Sequence, residues 1–160
     1  MAVVRRATKA DLPGIGALGL LLIEEHFAFD ARRFLAPGQW TSADYASYIG
    51  AQLDEPDAIV LVADDGGEVI GYAYAVVAGY DYMALRGPSG ILHDLIVQPR
   101  HRGRGAGRLL VDRILAELRS RAAPRVVLSA AEGNQPAQRF FASLGFRRTM
   151  IEMTRELDDA

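Results

Sequence analysis

The chain has 160 residues, 50% of them hydrophobic and 24% charged, with a formal net charge of −2, which suits one globular domain over residues 1–160. It contains no cysteine, which excludes disulfides, thiolate metal sites and a thiol nucleophile. Met1 to Arg6 lead into no long apolar run, and no stretch reaches the ~20 consecutive apolar residues of a membrane span, so the expected location is cytoplasmic, with no membrane partner.

Ala2 to Arg6 reads as a short strand. Asp11 can cap a helix that tolerates Pro13 in its first turn and carries Leu18, Leu21 and Leu22 on to about Glu25. Phe27 to Gln39 is irregular. A second helix, Thr41 to Leu53, is capped by Thr41 or Ser42 and repeats Tyr45, Tyr48, Ile49 and Gln52 at three- and four-residue steps. Ala58 to Ala63 is an apolar run of strand length. Asp64-Asp65-Gly66-Gly67 is a hairpin turn, and Val69 to Val77 is the partner strand. Tyr80 to Ser89 is a loop, and Ile91 to Val97 a strand stopped by Pro99. Gly105 to Arg121 is a helix with Val111, Ile114, Leu115 and Leu118 on one face, broken by Pro124. Arg125 to Ala130 is a strand. Gln135 to Leu144 is a helix ended by Gly145, and Phe146 to Leu157 supplies one or two final strands. The order predicts a mixed α/β (α+β) domain with a largely antiparallel start.

Charge is unevenly placed. Arg100, Arg102, Arg104 and Arg108 cluster, while acids gather at Asp54 to Asp57, at Asp64 to Glu68 and at the C-terminus. A local basic cluster in an acidic chain points to one small anionic ligand and away from nucleic acid. The apolar strand Ile91 to Val97 runs through Gln98-Pro99-Arg100-His101-Arg102 into Gly103-Arg104-Gly105-Ala106-Gly107-Arg108, which opens a helix. Free backbone N–H groups and the helix dipole make such a start an anion site. Glycines at 103, 105 and 107 remove the Cβ atoms that would hold a phosphate off, and arginines add forked donors. The alternative is a glycine-rich turn with solvated arginines. No Gly-Lys-Ser/Thr follows, so this is not a nucleoside-triphosphate loop. Gly14-Ile15-Gly16-Ala17-Leu18-Gly19 has dinucleotide-loop spacing but lies inside an apolar helical stretch, with no strand ending in an acid at the required distance beyond it.

Arg102-x-x-Gly105-x-Gly107 after an apolar strand resembles the acetyl-CoA motif of the GNAT superfamily of N-acetyltransferases. Asn134-x-x-Ala137-x-x-Phe140-Phe141-x-x-Leu144-Gly145-Phe146 is similar to a second feature of that family, and the order of elements from Val3 to Leu157 fits. The resemblance implies a mixed central sheet with an antiparallel N-terminal part, splayed parallel strands at the coenzyme site and helices on both faces. It implies acetyl-CoA as co-substrate, no metal, and direct attack by a primary amine of a small molecule or peptide in a ternary complex. The pantetheine arm would lie along Leu95, Ile96 and Val97, with one backbone N–H facing the thioester oxygen. The pyrophosphate would sit on Gly103, Arg104, Gly105, Ala106, Gly107 and Arg108, with Arg102 beside it. Asn134 would contact the pantetheine arm, at a position where asparagine also suits a helix N-cap. A homodimer is also among its implications, with Thr149 to Thr154 as a strand across the interface.

Phe141 departs from the pattern. Many family members carry tyrosine there to protonate the departing thiolate, and phenylalanine has no proton to give. It completes an apolar face with Ala137, Phe140 and Leu144. The departure keeps a second reading open, a non-catalytic acyl-CoA-binding protein of the same fold. Tyr74, Tyr80 and Tyr82, which precede the ligand strand, are other candidates for that acid.

Attack requires a neutral amine and therefore a proton acceptor. The resemblance places an acid or histidine on the strand before the loop, where this chain has His93 and Asp94. Alternation sends these two side chains to opposite faces. Histidine titrates near neutrality, which suits a base; the alternative is a histidine satisfied by a core hydrogen bond. Glu132 is a third candidate. The resemblance implies that the acceptor enters between His26 to Tyr48 and Tyr80 to Ser89, where Phe27, Phe29, Trp40, Tyr45, Tyr80, Asp81, Tyr82 and Arg86 offer aromatic rings and charge to a cationic amine; the alternative is that these residues anchor their loops.

Overall fold

The computed structural model describes residues 1–158. In chain order the elements are β1 (Val3–Arg6), α1 (Leu12–Phe29), α2 (Ser42–Gly50), β2 (Ala58–Asp65), β3 (Glu68–Ala78), β4 (Ser89–Val97), α3 (Ala106–Ser120), β5 (Val126–Leu128) and α4 (Gln135–Ser143). The strands form one sheet in the order β1-β2-β3-β4-β5. The first three pairings are antiparallel, and β4–β5 is parallel, joined through α3. The mixed sheet with an antiparallel start is therefore the one expected.

Each face of the sheet has its own core. Ile59, Leu61 and Ala63 of β2 pack with Leu110, Val111, Ile114 and Leu118 of α3, with Phe140 and Phe141 of α4 at the border. Val60 and Val62, which alternate with them, pack with Ile15 and Leu18 of α1, Ile49 of α2, and Tyr72 and Ile96. A strand covered on both faces is apolar at every position, which is why β2 reads as an unbroken run. The β2–β3 turn places Gly66 at φ +62° and Gly67 at +92°, and the Gly67 N–H donates to Asp64 Oδ1 at 2.7 Å.

The helix α1 packs closely on α2. A Cβ at Gly16 would lie 2.3 Å from the Ser42 carbonyl oxygen, and one at Gly19 would lie 2.1 Å from the Tyr45 ring. The glycine spacing that imitates a dinucleotide loop is thus a helix-packing device. The helical segment Lys9–Phe29, with hydropathy 1.3, is long and apolar enough to cross a membrane by composition. Ile15 and Leu18 are buried in the α1–α2 core, and Leu22 and Ile23 line a cavity described below.

Some element ends differ from expectation. The helix α1 continues to Phe29, α2 stops at Gly50, and β5 keeps only three residues because β4 pairs with it at Gly90, Ile91 and Leu92 alone. The expected final strands are absent among the described residues. Among the described residues, 147–158 make no backbone–backbone hydrogen bond, and a strand exists only through such a partner. Met150, Ile151, Met153 and Leu157 are 83%, 69%, 85% and 90% exposed, while Arg33–Glu152 and Arg32–Glu156 ion pairs hold the segment beside the residues that follow α1.

Candidate active site

Beyond Leu92 and Leu128 the parallel strands part. Leu95, Ile96 and Val97 keep β3 on one side, opposite Ala73, Tyr72 and Gly71, and have no strand on the other. The far wall of the resulting gap is Ser129, Ala130, Asn134, Ala137 and Phe141. This splay is the geometry expected of a slot whose edge can pair with a ligand's amide groups.

The strand leads through Pro99–His101 into the glycine loop. Gly103 has φ +75° and Gly105 φ +91°, the left-handed region that side chains rarely adopt. A Cβ at either would meet nothing within 4 Å, so the requirement there is conformational. The N–H groups of Gly103, Arg104, Gly105, Ala106, Gly107 and Arg108 have no acceptor among the described residues; the next, on Leu109, donates to Gly105 O at 3.0 Å. Ala106 is buried against α3's own core, while Arg104 and Arg108 are exposed, with Arg108 3.7 Å from Asp112. These open donors and two arginines fit a pyrophosphate. Arg102 is engaged otherwise: its Nε donates to Val97 O at 2.8 Å and its guanidinium pairs with Glu25 at 2.6 Å. It ties the loop to β4 and α1.

Asn134 caps α4, its Oδ1 accepting from the Ala137 N–H at 3.2 Å, and it also borders the cavity. Phe141 borders it too, edge-on to Phe140 and Phe146 at 5.2 and 5.6 Å.

The register of β3 against β4 slips where the chemistry is expected. Tyr74 lies opposite Asp94 and Ala75 opposite Leu92, which leaves His93 as an extra residue. The bulge overturns the alternation argument, because His93 and Asp94 both turn toward the α2 side. Asp94 Oδ2 accepts from Tyr45 Oη at 2.5 Å and Tyr72 Oη at 2.7 Å, and the two hydroxyls are 2.8 Å apart. The His93 ring lies 5.3 Å from that of Tyr74. Burial, and then the Asp94 charge, push both phenols up, so they stay protonated and donate. Partial burial pulls the His93 imidazole below its ordinary value, against the opposing Asp94 charge, so His93 is neutral at neutral pH.

His93 and Asp94 form one edge of a cavity of about 540 Å³. Its remaining wall comes from Leu22, Ile23 and His26 of α1, from Phe34, Leu35 and Trp40, and from Asp44, Tyr45 and Tyr48 of α2. His26 Nδ1 is 2.8 Å from Leu22 O; a carbonyl only accepts, so Nδ1 carries a proton, and in the neutral ring Nε2 is the acceptor.

Among the residues expected at the acceptor site, the structure brings in Trp40 and Tyr45 and leaves out others. Phe27 and Phe29 do not line the cavity. Tyr80 and Tyr82 stack on each other at 6.4 Å and are 73% and 83% exposed, while Asp81 and Arg86 pair within their own loop. That loop is closed on itself by the Asp81–Arg86 bridge, and none of its residues lines the cavity. The Tyr74 hydroxyl donates to Gln52, and Glu132 is exposed outside the cavity, 3.9 Å from Arg148. Tyr72, Phe34, Leu35 and Tyr48 were not singled out as site residues from the sequence. The two-residue step between Tyr72 and Tyr74 is the signal that puts both on one face of a strand.

A family model described as "Acetyltransferase (GNAT) family" matches residues 23–146. A mycothiol acetyltransferase of Acidothermus cellulolyticus is 36% identical over 131 residues, which span 75% of this chain and 40% of that protein. The chain thus spans less than half the length of that relative. Among solved structures, a tetramutant of the BH1408 protein of Bacillus halodurans superposes with a TM-score of 0.83 at 24% identity, covering 97% of this chain and 99% of that one. The aminoglycoside N-acetyltransferase AAC(6')-Iy, in complex with CoA, superposes with a TM-score of 0.78 at 18% identity, covering 99% and 95%. With its splayed strands, glycine loop and capping asparagine in family order, the chain belongs to the GNAT acetyltransferase family.

Proposed function

We propose that this chain is a single-domain N-acetyltransferase that moves the acetyl group of acetyl-CoA to a primary amine of a small molecule or peptide, by direct attack in a ternary complex. The observation that carries the reading is the continuous path from the open edge of β4 to the unpartnered N–H groups of Gly103 to Arg108, with His93 and Asp94 on the same strand beside a second cavity wall.

Acetyl-CoA, when bound, supplies an acetyl thioester. The backbone of Gly103 to Arg108 would hold the pyrophosphate, with Arg104 and Arg108 adding charge and Arg102 fixing the loop through Val97 and Glu25. The edge of Leu95, Ile96 and Val97 would pair with the pantetheine arm, and an N–H there facing the thioester oxygen would be worth ~3 kcal/mol as charge develops. Asn134 and Phe141 would close the other side. His93, neutral at neutral pH, takes the proton that the attacking nitrogen gives up. Asp94, pinned by two phenols, presents a fixed carboxylate toward the acceptor amine. Phe141 has no proton for the departing sulfur, so that proton comes from water or from the acceptor side.

Calorimetric titration of acetyl-CoA against wild type and Gly105→Glu, followed by thiol release with a panel of amines, tests the reading. Saturable binding in wild type, lost in the variant, with turnover on an amine, is expected. No binding in wild type overturns it. Binding without turnover on any amine would instead mark an acyl-CoA-binding protein.

The reading extends to a homodimer. The outer edge of β5 is unpaired and borders a groove lined by Val126, Leu128, Leu144, Phe146 and Met150. Thr149 to Thr154 of a second copy, which makes no backbone–backbone hydrogen bond within its own described residues, would take that edge. Sedimentation of wild type and of a chain ending at Phe146 tests it: the dimer should be lost on truncation.

A further inference from the structure

We infer that the acceptor is a monoamine carried on an aromatic or extended apolar body, and not a polyhydroxylated or polycationic amine; this rests on the acetyltransferase reading. The acceptor half of the cavity is walled by Leu22, Ile23, Phe34, Leu35, Trp40 and Tyr48. Among the described residues no lysine, arginine or glutamate lines it, and its only carboxylates are Asp44 and Asp94.

Those two carboxylates are not equivalent. Asp44 Oδ2 accepts from the Thr41 N–H and hydroxyl, both at 2.8 Å, in the capping box of α2, and its side chain is exposed at the mouth. Asp94 sits deeper, on the strand that carries His93, with one oxygen held by Tyr45 and Tyr72 and the other free of protein hydrogen bonds. The geometry therefore presents one inner anionic point beside one neutral base. It serves one amino group arriving at the thioester. A substrate with several ammonium groups would have only Asp44, at the mouth, for a second charge, and would bring any further one against leucine, isoleucine and phenylalanine.

Hydroxyl-rich bodies fare no better. Besides the two carboxylates, the polar side chains on this wall are His26, Trp40, Tyr45, Tyr48 and His93, and Tyr45 Oη is already committed to Asp94, so carbon dominates the surface that meets the acceptor and the ring hydroxyls of a sugar would find few partners. Apolar surface, in contrast, is waiting to be covered. At the mouth Leu35 is 55% exposed, Trp40 45% and Tyr48 53%. Large apolar side chains exposed together at the rim of a cavity gain by burial under a ligand of like character. Rings of Trp40, Tyr45 and Tyr48 can also face the cation before it loses its proton.

The test uses the full chain loaded with acetyl-CoA. Phenethylamine, butylamine, glucosamine and kanamycin are compared by thiol release and by calorimetric binding. Phenethylamine should exceed glucosamine and kanamycin in kcat/KM by about tenfold or more, since each buried methylene equivalent is worth about tenfold or more in an apolar site. Trp40→Ala, at the exposed rim, should raise KM for phenethylamine and leave the acetyl-CoA Kd unchanged. A preference for glucosamine or kanamycin, or no phenethylamine binding to the loaded protein, overturns this inference while leaving the acetyltransferase reading in place. Failure of wild type to bind acetyl-CoA in the same titration overturns that reading and this inference with it.

Discussion

Replacing Gly19 with alanine tests the link between helix packing and the candidate site. The added Cβ would stand 2.1, 2.2 and 2.5 Å from three carbons of the Tyr45 ring. Carbon atoms rest at about 3.5–4.0 Å, so the ring must retreat by roughly 1.5 Å. Its hydroxyl is 2.5 Å from Asp94, and a retreat of that size breaks the bond. Overpacking costs about 1–3 kcal/mol. Losing a hydrogen bond to a charged group costs about 1.5–3 kcal/mol. Alanine's better helix propensity returns about 1 kcal/mol. The net expectation is a loss of about 1.5–5 kcal/mol, which for a chain of this size lowers Tm by roughly 3–20 °C. Urea unfolding of Gly19→Ala, Tyr45→Ala and the double variant completes a cycle. In the Tyr45→Ala background the clash partner is gone, so Gly19→Ala should be neutral or stabilising by about 1 kcal/mol. If Gly19→Ala alone is as stable as wild type, or if its cost is the same in both backgrounds, the Gly19–Tyr45 contact does not position Asp94.

Other predictions concern the proton path and the N-terminal ion cluster. His93→Gln should lower kcat/KM by about 10²–10⁴-fold. In wild type the acid limb of the pH profile should lie below the ordinary histidine value of about 6.5, because burial disfavours the imidazolium, and the variant should lose that limb; a limb above 7 contradicts the assignment. Phe141→Tyr should raise kcat by about tenfold or more if thiolate protonation limits turnover, measured by steady-state thiol release. Arg5 donates to both oxygens of buried Asp11 at 2.8 and 2.9 Å and to Asp64 at 2.8 Å, which holds both carboxyls below their ordinary range. Depressed carboxyls contribute stability that is fully present above the unfolded value of about 3.9 and lost as pH falls through their folded values. The urea midpoint should therefore drop steeply below pH 4 in wild type and more shallowly in Arg5→Ala; equal slopes would refute the cluster's role.

The glycine loop was legible because everything it needs is local. Positive φ at Gly103 and Gly105, free donors at a helix start and an apolar strand before it all follow from neighbours in the chain. Helix faces were legible for the same reason: Val111, Ile114 and Leu118 repeat at the helical period and are buried together. The Gly14, Gly16 and Gly19 spacing was correctly set aside, but its purpose, room for Ser42 and Tyr45, lay in another helix.

What tertiary structure alone decided are the features that join distant residues. Whether His93 and Asp94 share a face depended on a bulge set by the pairing of β4 with β3, and no property of β4 by itself encodes that slip. The Tyr45–Asp94 contact spans 49 residues and Arg102–Glu25 spans 77, so neither partner is visible from a local pattern. The apolar pattern of Thr149 to Thr154 read as a strand, yet a strand is defined by a neighbour, and the fold offers this segment none within the described chain. Amino-acid order by itself determined the left-handed glycines and open donors at the start of α3 and placed His93 and Asp94 on one strand. Long-range pairing decided which of those groups face the same cavity, because backbone hydrogen bonds between strands and close packing between helices are made with partners the local sequence does not contain.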